Sequence, residues 1–304
     1  VPNYLRRTQG LPTDPLYPDV WAHSLTGVQA AHDANLRGSD SVKIAIIDSG
    51  VNYTHEDLED RIWYDENGNP GWDAVDVDVD SLVASGAGLV DGEDYTTSDD
   101  DPSDFGGHGT ACAGVAAATA DNGAGIAGVA PGARIMPVRA GYNIIHPIYG
   151  EVGVLDDASI VAALDYATDH GADVINMSFG GPIASPAIAE AIQRAAGSGA
   201  VLVAAAGNAK STQRSFPAAY PEVIAVAATT NQDARASYSS FGSWVDVSAP
   251  GGDRNAANEL VPSDAMLNPD EPHWRFHKAA GELYGPPQPD SLAYLLDCIE
   301  QDRP

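Results

Sequence analysis

The chain is 304 residues long and carries 43 acidic side chains against 15 Lys plus Arg, a formal net charge of −28. A surface this negative repels nucleic acid and anionic membrane rather than binding them, and no apolar run reaches the ~20 residues that a membrane span requires. The length allows one large core, and Val, Ile, Leu and Ala segments alternate with Gly, Asp and Ser loops as an α/β domain requires.

Only three of the basic residues are lysines, a bias that fits either a high-salt or acidic-proteome source or plain solubility. Val1 stands first, and no basic leader with an apolar centre follows it, so any export signal is expected to have been removed or omitted. Two cysteines, Cys112 and Cys298, do not make a disulfide framework. Cys112 follows His108 by four residues, one helical turn, which places the thiol beneath the imidazole as a small buried hydrophobe.

In chain order, residues 27–37 have the helical spacing of Val28, Ala31 and Leu36, and Gly38 stops the pattern. Val42 to Ile47 is almost continuously apolar, as in a strand of a parallel sheet buried on both faces. Residues 65–104 form a long acidic insertion. Within it Asp76, Asp78 and Asp80 alternate with Val75, Val77 and Val79, a pattern that reads either as three carboxylates on one face of an extended segment, where calcium could bridge them, or as a solvated acidic loop. From His108 onward a regular alternation is expected: helix 110–119, strand 134–138, helix 155–170, strand 172–177, helix 186–197, then strands 200–206 and 222–227. Strands and helices alternating at these lengths imply a parallel sheet with right-handed crossovers, whose ligands bind beyond the carboxyl ends of the strands.

Of three short motifs, two fall at such ends. Asp48 closes the first apolar run and is followed by Ser49-Gly50; His108 sits in Gly106-Gly107-His108-Gly109-Thr110 at the start of a small-residue helix; Asn208 ends Ala204-Ala205-Ala206-Gly207-Asn208. A histidine has a working pKa for a general base. A carboxylate can orient it, and an amide can donate to an oxyanion.

Order, flanks and separations together resemble the subtilisin-like serine proteases, the subtilases, over about residues 14–252. The resemblance implies an α/β fold with a parallel sheet flanked by helices, incomplete at its C-terminal end, and a secreted serine endopeptidase acting on polypeptides. Asp48 and His108 would serve as catalytic pair and Asn208 as oxyanion donor. Ser178, Phe179 and Gly180 would pair with the substrate backbone and wall the primary pocket, with Tyr149-Gly150-Glu151 as a second edge. Ala205, Ala206 and Gly207, with Ser215-Phe216-Pro217, would form the pocket's other wall and floor, broad and apolar, with no acid placed to select Lys or Arg. Asp14, Asp57 and Asn122 match a structural calcium site. Residues 1–10 resemble the end of a cleaved propeptide, residues 11–252 the catalytic domain, and residues 253–304 match nothing in the pattern; they contain several prolines and one apolar helix candidate, Ser291 to Ile299.

Subtilases place their serine in a Gly-Thr-Ser-Met-Ala turn about twenty residues past an Ala-Pro-Gly, which stands here at 249–251. This chain has no such turn. Ser263 comes too early and lacks the glycine; Ser291 comes too late and opens a Leu-rich segment. Three accounts follow: a catalytic domain truncated or frame-shifted near residue 253, a pseudoprotease that keeps the peptide groove, or a serine supplied by the tail or another chain. The first is preferred, because a long-standing pseudoenzyme has no chemical reason to retain Asp48, His108 and Asn208.

Overall fold

A computed structural model describes residues 11–254 and 260–261. The propeptide-like segment 1–10, Ser263, Ser291, Cys298 and the helix candidate Ser291 to Ile299 lie outside the described residues.

Strands β1 (Lys43–Asp48), β2 (Trp72–Asp73), β4 (Arg134–Arg139), β7 (Val174–Met177), β8 (Val201–Ala205), β9 (Val223–Thr229) and β10 (Val247–Pro250) form a seven-stranded sheet in the order β10-β9-β8-β7-β1-β4-β2. Every pairing in it is parallel. The continuous apolar runs explain this, since strands covered on both faces need no polar side. Three short pieces precede or interrupt the sheet: helices α1 (Trp21–Leu25), α2 (Val28–Asp33) and α3 (Val79–Ala84). Strand β3 (Gly88–Leu89) joins β5 (Gly141–His146) and β6 (Gly150–Leu155) in a separate antiparallel sheet of order β3-β5-β6, leaving β6 at an edge. The longer helices are α4 (His108–Ala117), α5 (Asp157–Asp169) and α6 (Pro186–Ser198).

Alternation along β1 splits the core in two. Ala45 and Ile47 face α5 and α6, where Leu164, Ile188 and Ile192 pack with Met177 and Leu202. Ile46 faces the other way, against Cys112, Ala113 and Ala117 of α4. Both long crossover helices carry their own start signals: Asp156 accepts from the amides of Ala158 and Ser159, and Ser185 from that of Ile188 ahead of Pro186.

The sheet register carries the α4-side face from Ile46 to Asn176, Val203 and Ile224. Among the described residues that face is open at β8 to β10, where Val201, Ile224 and Val247 remain 46, 38 and 50 % exposed. Apolar β-branched side chains on a parallel strand without cover are unusual for a soluble domain.

Two readings of the sequence change. The helix expected over 27–37 is only α2, because Asn35 turns into the left-handed region and ends it. In the acidic insertion, Asp78 caps α3 by accepting from Ser81, so Asp76, Asp78 and Asp80 do not share one face of an extended segment. The insertion instead sends Asp73 and Glu93 inward to Arg139, and all three are buried.

Candidate active site

Asp48 is the last residue of β1 and His108 the first of α4, and the turn at each makes their approach possible. Gly107 caps α4 with φ +82°, a conformation that costs glycine nothing. A Cβ at Gly109 would lie 2.0 Å from the Gly50 carbonyl oxygen and 2.9 Å from the Asp48 Cβ, so only glycine lets α4 sit against the end of β1. The His108 Nδ1–H donates to Asp48 Oδ1, which also accepts from the Ser49 amide at 2.7 Å. Asp48 Oδ2 is buried with no hydrogen-bond partner among the described residues. Burial opposes protonation of His108, but the Asp48 carboxylate outweighs it, aided by Cys112, and holds the imidazole pKa well above 6.5. The Cys112 Sγ lies 3.5 Å from Nε2, beneath the ring as the four-residue spacing implies. A general base oriented by a carboxylate is the chemistry this pair can perform.

A residue not singled out in the sequence holds the pair together. Asp104 accepts four bonds, from the Ser49 hydroxyl (2.8 Å), the Gly107 amide (2.7 Å), and the Thr110 amide and hydroxyl (2.9 and 2.5 Å). The Ser49 hydroxyl in turn accepts from the Gly109 amide at 3.0 Å. Asp104 thereby ties the turn after β1 to the first turn of α4. Its signal was a carboxylate three residues before Gly107 at a helix start, where Asp, Asn, Ser and Thr satisfy the free amides; within a run of acids that signal is easily passed over.

Asp48 ends β1, and Ser178 and Asn208 follow β7 and β8; the three strands are adjacent and parallel, so the three residues share one carboxyl-end edge. Asn208 is buried and follows Gly207, whose φ is +87°. Ser178 accepts from the Asn176 side chain at 2.9 Å. Phe179 is buried and lines the cleft beside His108. Gly180 and Gly207 meet over Ser215: added methyl groups would stand 2.6 and 3.3 Å from its hydroxyl. Gly181 and Phe216 exchange backbone hydrogen bonds of 2.9 and 2.8 Å, joining the Ser178 to Gly181 segment to the Ser215-Phe216-Pro217 turn. Ala205 closes β8 and Ala206 is buried behind Gly207.

The cleft runs from Asp48, Ser49 and His108 to the β6 edge strand. Residues 151–155 of β6 line it. Of the second edge expected at Tyr149-Gly150-Glu151, Glu151 lies in that wall, while Tyr149 stacks on His146, ring centroids 4.6 Å apart. Gly150 and Glu151 are the first residues of β6, whose pairing with β5 sets Asn143 opposite Gly153, both in the cleft lining.

Asp14, Asp57 and Asn122 come together across the fold. Asp14 accepts from the Asp121 and Asn122 amides at 2.8 and 3.0 Å; Asp57 accepts from the Asn122 side chain at 2.9 Å and from the Ile126 amide at 3.0 Å. Both carboxylates are buried, and each of these donors is a neutral amide. Burial pushes the Asp57 pKa up to about 7 against the Asn122 and Ile126 bonds, with Asp14 and Glu56 adding to the rise. Two buried acids with amide donors alone fit a hard cation with oxygen ligands.

The model of the subtilase family matches residues 39–281 of this chain. The chain is 38 % identical over 253 residues to the thermophilic serine proteinase of Bacillus sp. strain AK1, a match covering 83 % of this chain and 54 % of that protein. It is 37 % identical over 224 residues to thermitase of Thermoactinomyces vulgaris, covering 74 and 68 %. Among solved structures, a protease of Pseudoalteromonas arctica PAMC 21717 superposes with a TM-score of 0.66 at 28 % identity, over 84 % of this chain and 76 % of that one. The chain thus spans about half the length of the first of these relatives. With the Asp48 and His108 pair at the carboxyl edge of a parallel seven-stranded sheet, these matches show that the chain belongs to the subtilase family.

Proposed function

We propose that these residues form the acid, base and substrate-binding parts of a secreted subtilisin-like serine endopeptidase, and that this chain by itself has little or no peptidase activity. The observation that carries the reading is the buried hydrogen bond from His108 to Asp48 at the mouth of a cleft walled by an edge strand. An extended polypeptide would add beside β6 and the Ser178 to Gly180 segment through main-chain hydrogen bonds. His108 would take the proton of a nucleophile, Asp48 would stabilise the imidazolium, and Asn208 would donate to the oxyanion.

The nucleophile is the part without a residue. No Gly-Thr-Ser-Met-Ala turn occurs in the sequence; on this reading the base would lack a hydroxyl to activate and the oxyanion hole the amide that such a serine contributes. Calcium would be held by Asp14, Asp57 and Asn122, supplying the positive charge that two buried carboxylates need and tying the N-terminal segment to the loop after α4. Residues 1–10 would be the junction left by a propeptide. Among the described residues no helix is long and apolar enough to cross a membrane.

Incubation with casein and with a fluorophosphonate probe tests the reading. No turnover and no labelling are expected. Turnover abolished by His108→Ala, or labelling at Ser263 or Ser291, would show a working nucleophile and refute inactivity. The cleft beside the β6 edge strand also favours a second reading, a peptide-binding pseudoprotease, which would bind peptides without cleaving them.

A further inference from the structure

The register of β8 to β10 sorts their side chains into two rows with opposite fates. Leu202 and Ala204 of β8 stand beside Val223 and Ala225 of β9, and all four are buried in the core with Ile188 and Ile192 of α6. The alternate row pairs Val203 with Ile224, Ala205 with Val226, and Val226 with Val247 of β10. In that row Val201, Ile224 and Val247 are exposed, and Val203 and Val226 only half-buried. On the same side of the sheet Ile46 of β1 is covered by Cys112, Ala113 and Ala117 of α4, so among the described residues the helix layer stops before β8. An apolar row on a parallel strand belongs under a cover, and a continuous patch of such residues marks a surface that binds something.

The sequence holds a segment of matching pattern. In residues 291–299, which lie outside the described residues, Leu292, Leu295, Leu296 and Ile299 recur at helical spacing, and Tyr294 and Asp297 fall on the other side. A helix of that length is ~13 Å long, comparable with the ~13–23 Å of the four- to seven-residue strands β8, β9 and β10. The segment is also tethered beside the face. Edge strand β10 leads through Gly251 and Gly252 into β11 (Asp253–Arg254), which pairs with β12 (Leu260–Val261) on the way to residue 291. Tethering gives an effective concentration on the order of millimolar, whereas a second copy of a chain with net charge −28 is repelled. Both effects favour the chain's own segment over a partner copy.

We propose that residues 291–299 dock as an amphipathic helix on the α4-side face of β8 to β10, with Leu292, Leu295, Leu296 and Ile299 against Val201, Ile224, Val226 and Val247. The docked helix extends the layer begun by α4 and backs the end of β8, three residues before Asn208. This contact is independent of whether the chain cleaves peptides.

The test is methyl NMR on the unaltered full chain, with Ile, Leu and Val methyl groups labelled. Nuclear Overhauser contacts are expected from Ile224, Val226 and Val247 to Leu295, Leu296 and Ile299. A mixture of two differently labelled preparations separates contacts within a chain from contacts between chains. Absence of contacts between the two sets, or contacts only between chains, overturns the proposal. Two variants give a second readout. Leu296→Asp puts a charge in the apolar row and should lower the urea midpoint by about 1 M, the burial of one leucine set against a usual slope, and raise the binding of an apolar dye. Tyr294→Asp, on the other side of the helix, should change neither. Unchanged midpoints in both variants, or equal falls in both, overturn the proposal. Should Leu296→Asp fail to fold, the contacts in the unaltered chain still decide.

Discussion

Asp48 and Arg139 are register partners at the ends of adjacent parallel strands, yet they serve different pairs. The Arg139 guanidinium is taken up by Asp73, Glu93 and the Asp94 carbonyl, while the Asp48 carboxylate goes to His108 and the Ser49 amide. The acidic insertion therefore keeps Arg139 off the acid that orients the base. A guanidinium on Asp48 would compete with the imidazole for the same carboxylate.

Removing that arginine should be costly. Burial raises the pKa of Asp73 to about 6 and that of Glu93 to about 7, even with the lowering effect of Arg139. Arg139→Met leaves two buried carboxylates without their cation, and a loss of about 3–5 kcal/mol is expected, read as a lowered urea midpoint with an unchanged slope. A loss below about 1 kcal/mol would show that the triad is not what anchors the insertion.

For His108 the prediction concerns titration. Its pKa should lie above 6.5 in the intact chain, measured from the imidazole proton resonances. A raised folded pKa contributes stability that is complete below the unfolded value near 6.5 and is lost as pH rises through the folded value. Asp48→Asn removes the main raising influence and leaves burial, so the pKa should fall below 6.5 and that pH-dependent stability should disappear. An unchanged pKa in the variant would mean that Asp48 does not control the base.

Calcium should matter more at high pH. Asp57, with a folded pKa of about 7 against an unfolded value near 3.8, is destabilising once ionised; the penalty accumulates from about pH 4 to 7 and is complete above. A bound cation offsets it. Excess calcium should raise the thermal midpoint by about 5–10 °C at pH 8, relative to chelator, and by less at pH 5. Asp57→Asn should abolish the difference; equal midpoints with and without chelator would remove calcium from the account.

Asp104→Ala strands four donors around the start of α4. A destabilisation of about 3 kcal/mol is expected, with a changed His108 resonance because Ser49 and Gly109 lose their common anchor. A neutral result in both readouts would assign Asp104 to the solvated acidic surface.

Much of the molecule was legible along the chain. The pairing of Asp48 with His108, 60 residues apart, was implied by the resemblance to the subtilases, whereas the parallel sheet follows from unbroken apolar runs such as Val42 to Ile47 and the start of α4 from Gly107-His108-Gly109. These are local patterns, and local sterics and hydrophobic periodicity decide them. Asp104 and Asn143 were not legible, because their roles depend on elements far apart in sequence: Asp104 reaches back to Ser49, and Glu93 meets Arg139 and Asn143 from 46 and 50 residues away. An acid in an acid-rich insertion looks like solvated surface until folding fixes which carboxylates turn inward. The sequence by itself determined the elements and the chemical types at their ends; the tertiary structure decided which of the acids among the described residues are buried, since burial and a hydrogen-bonded partner are properties of packing and not of any one segment.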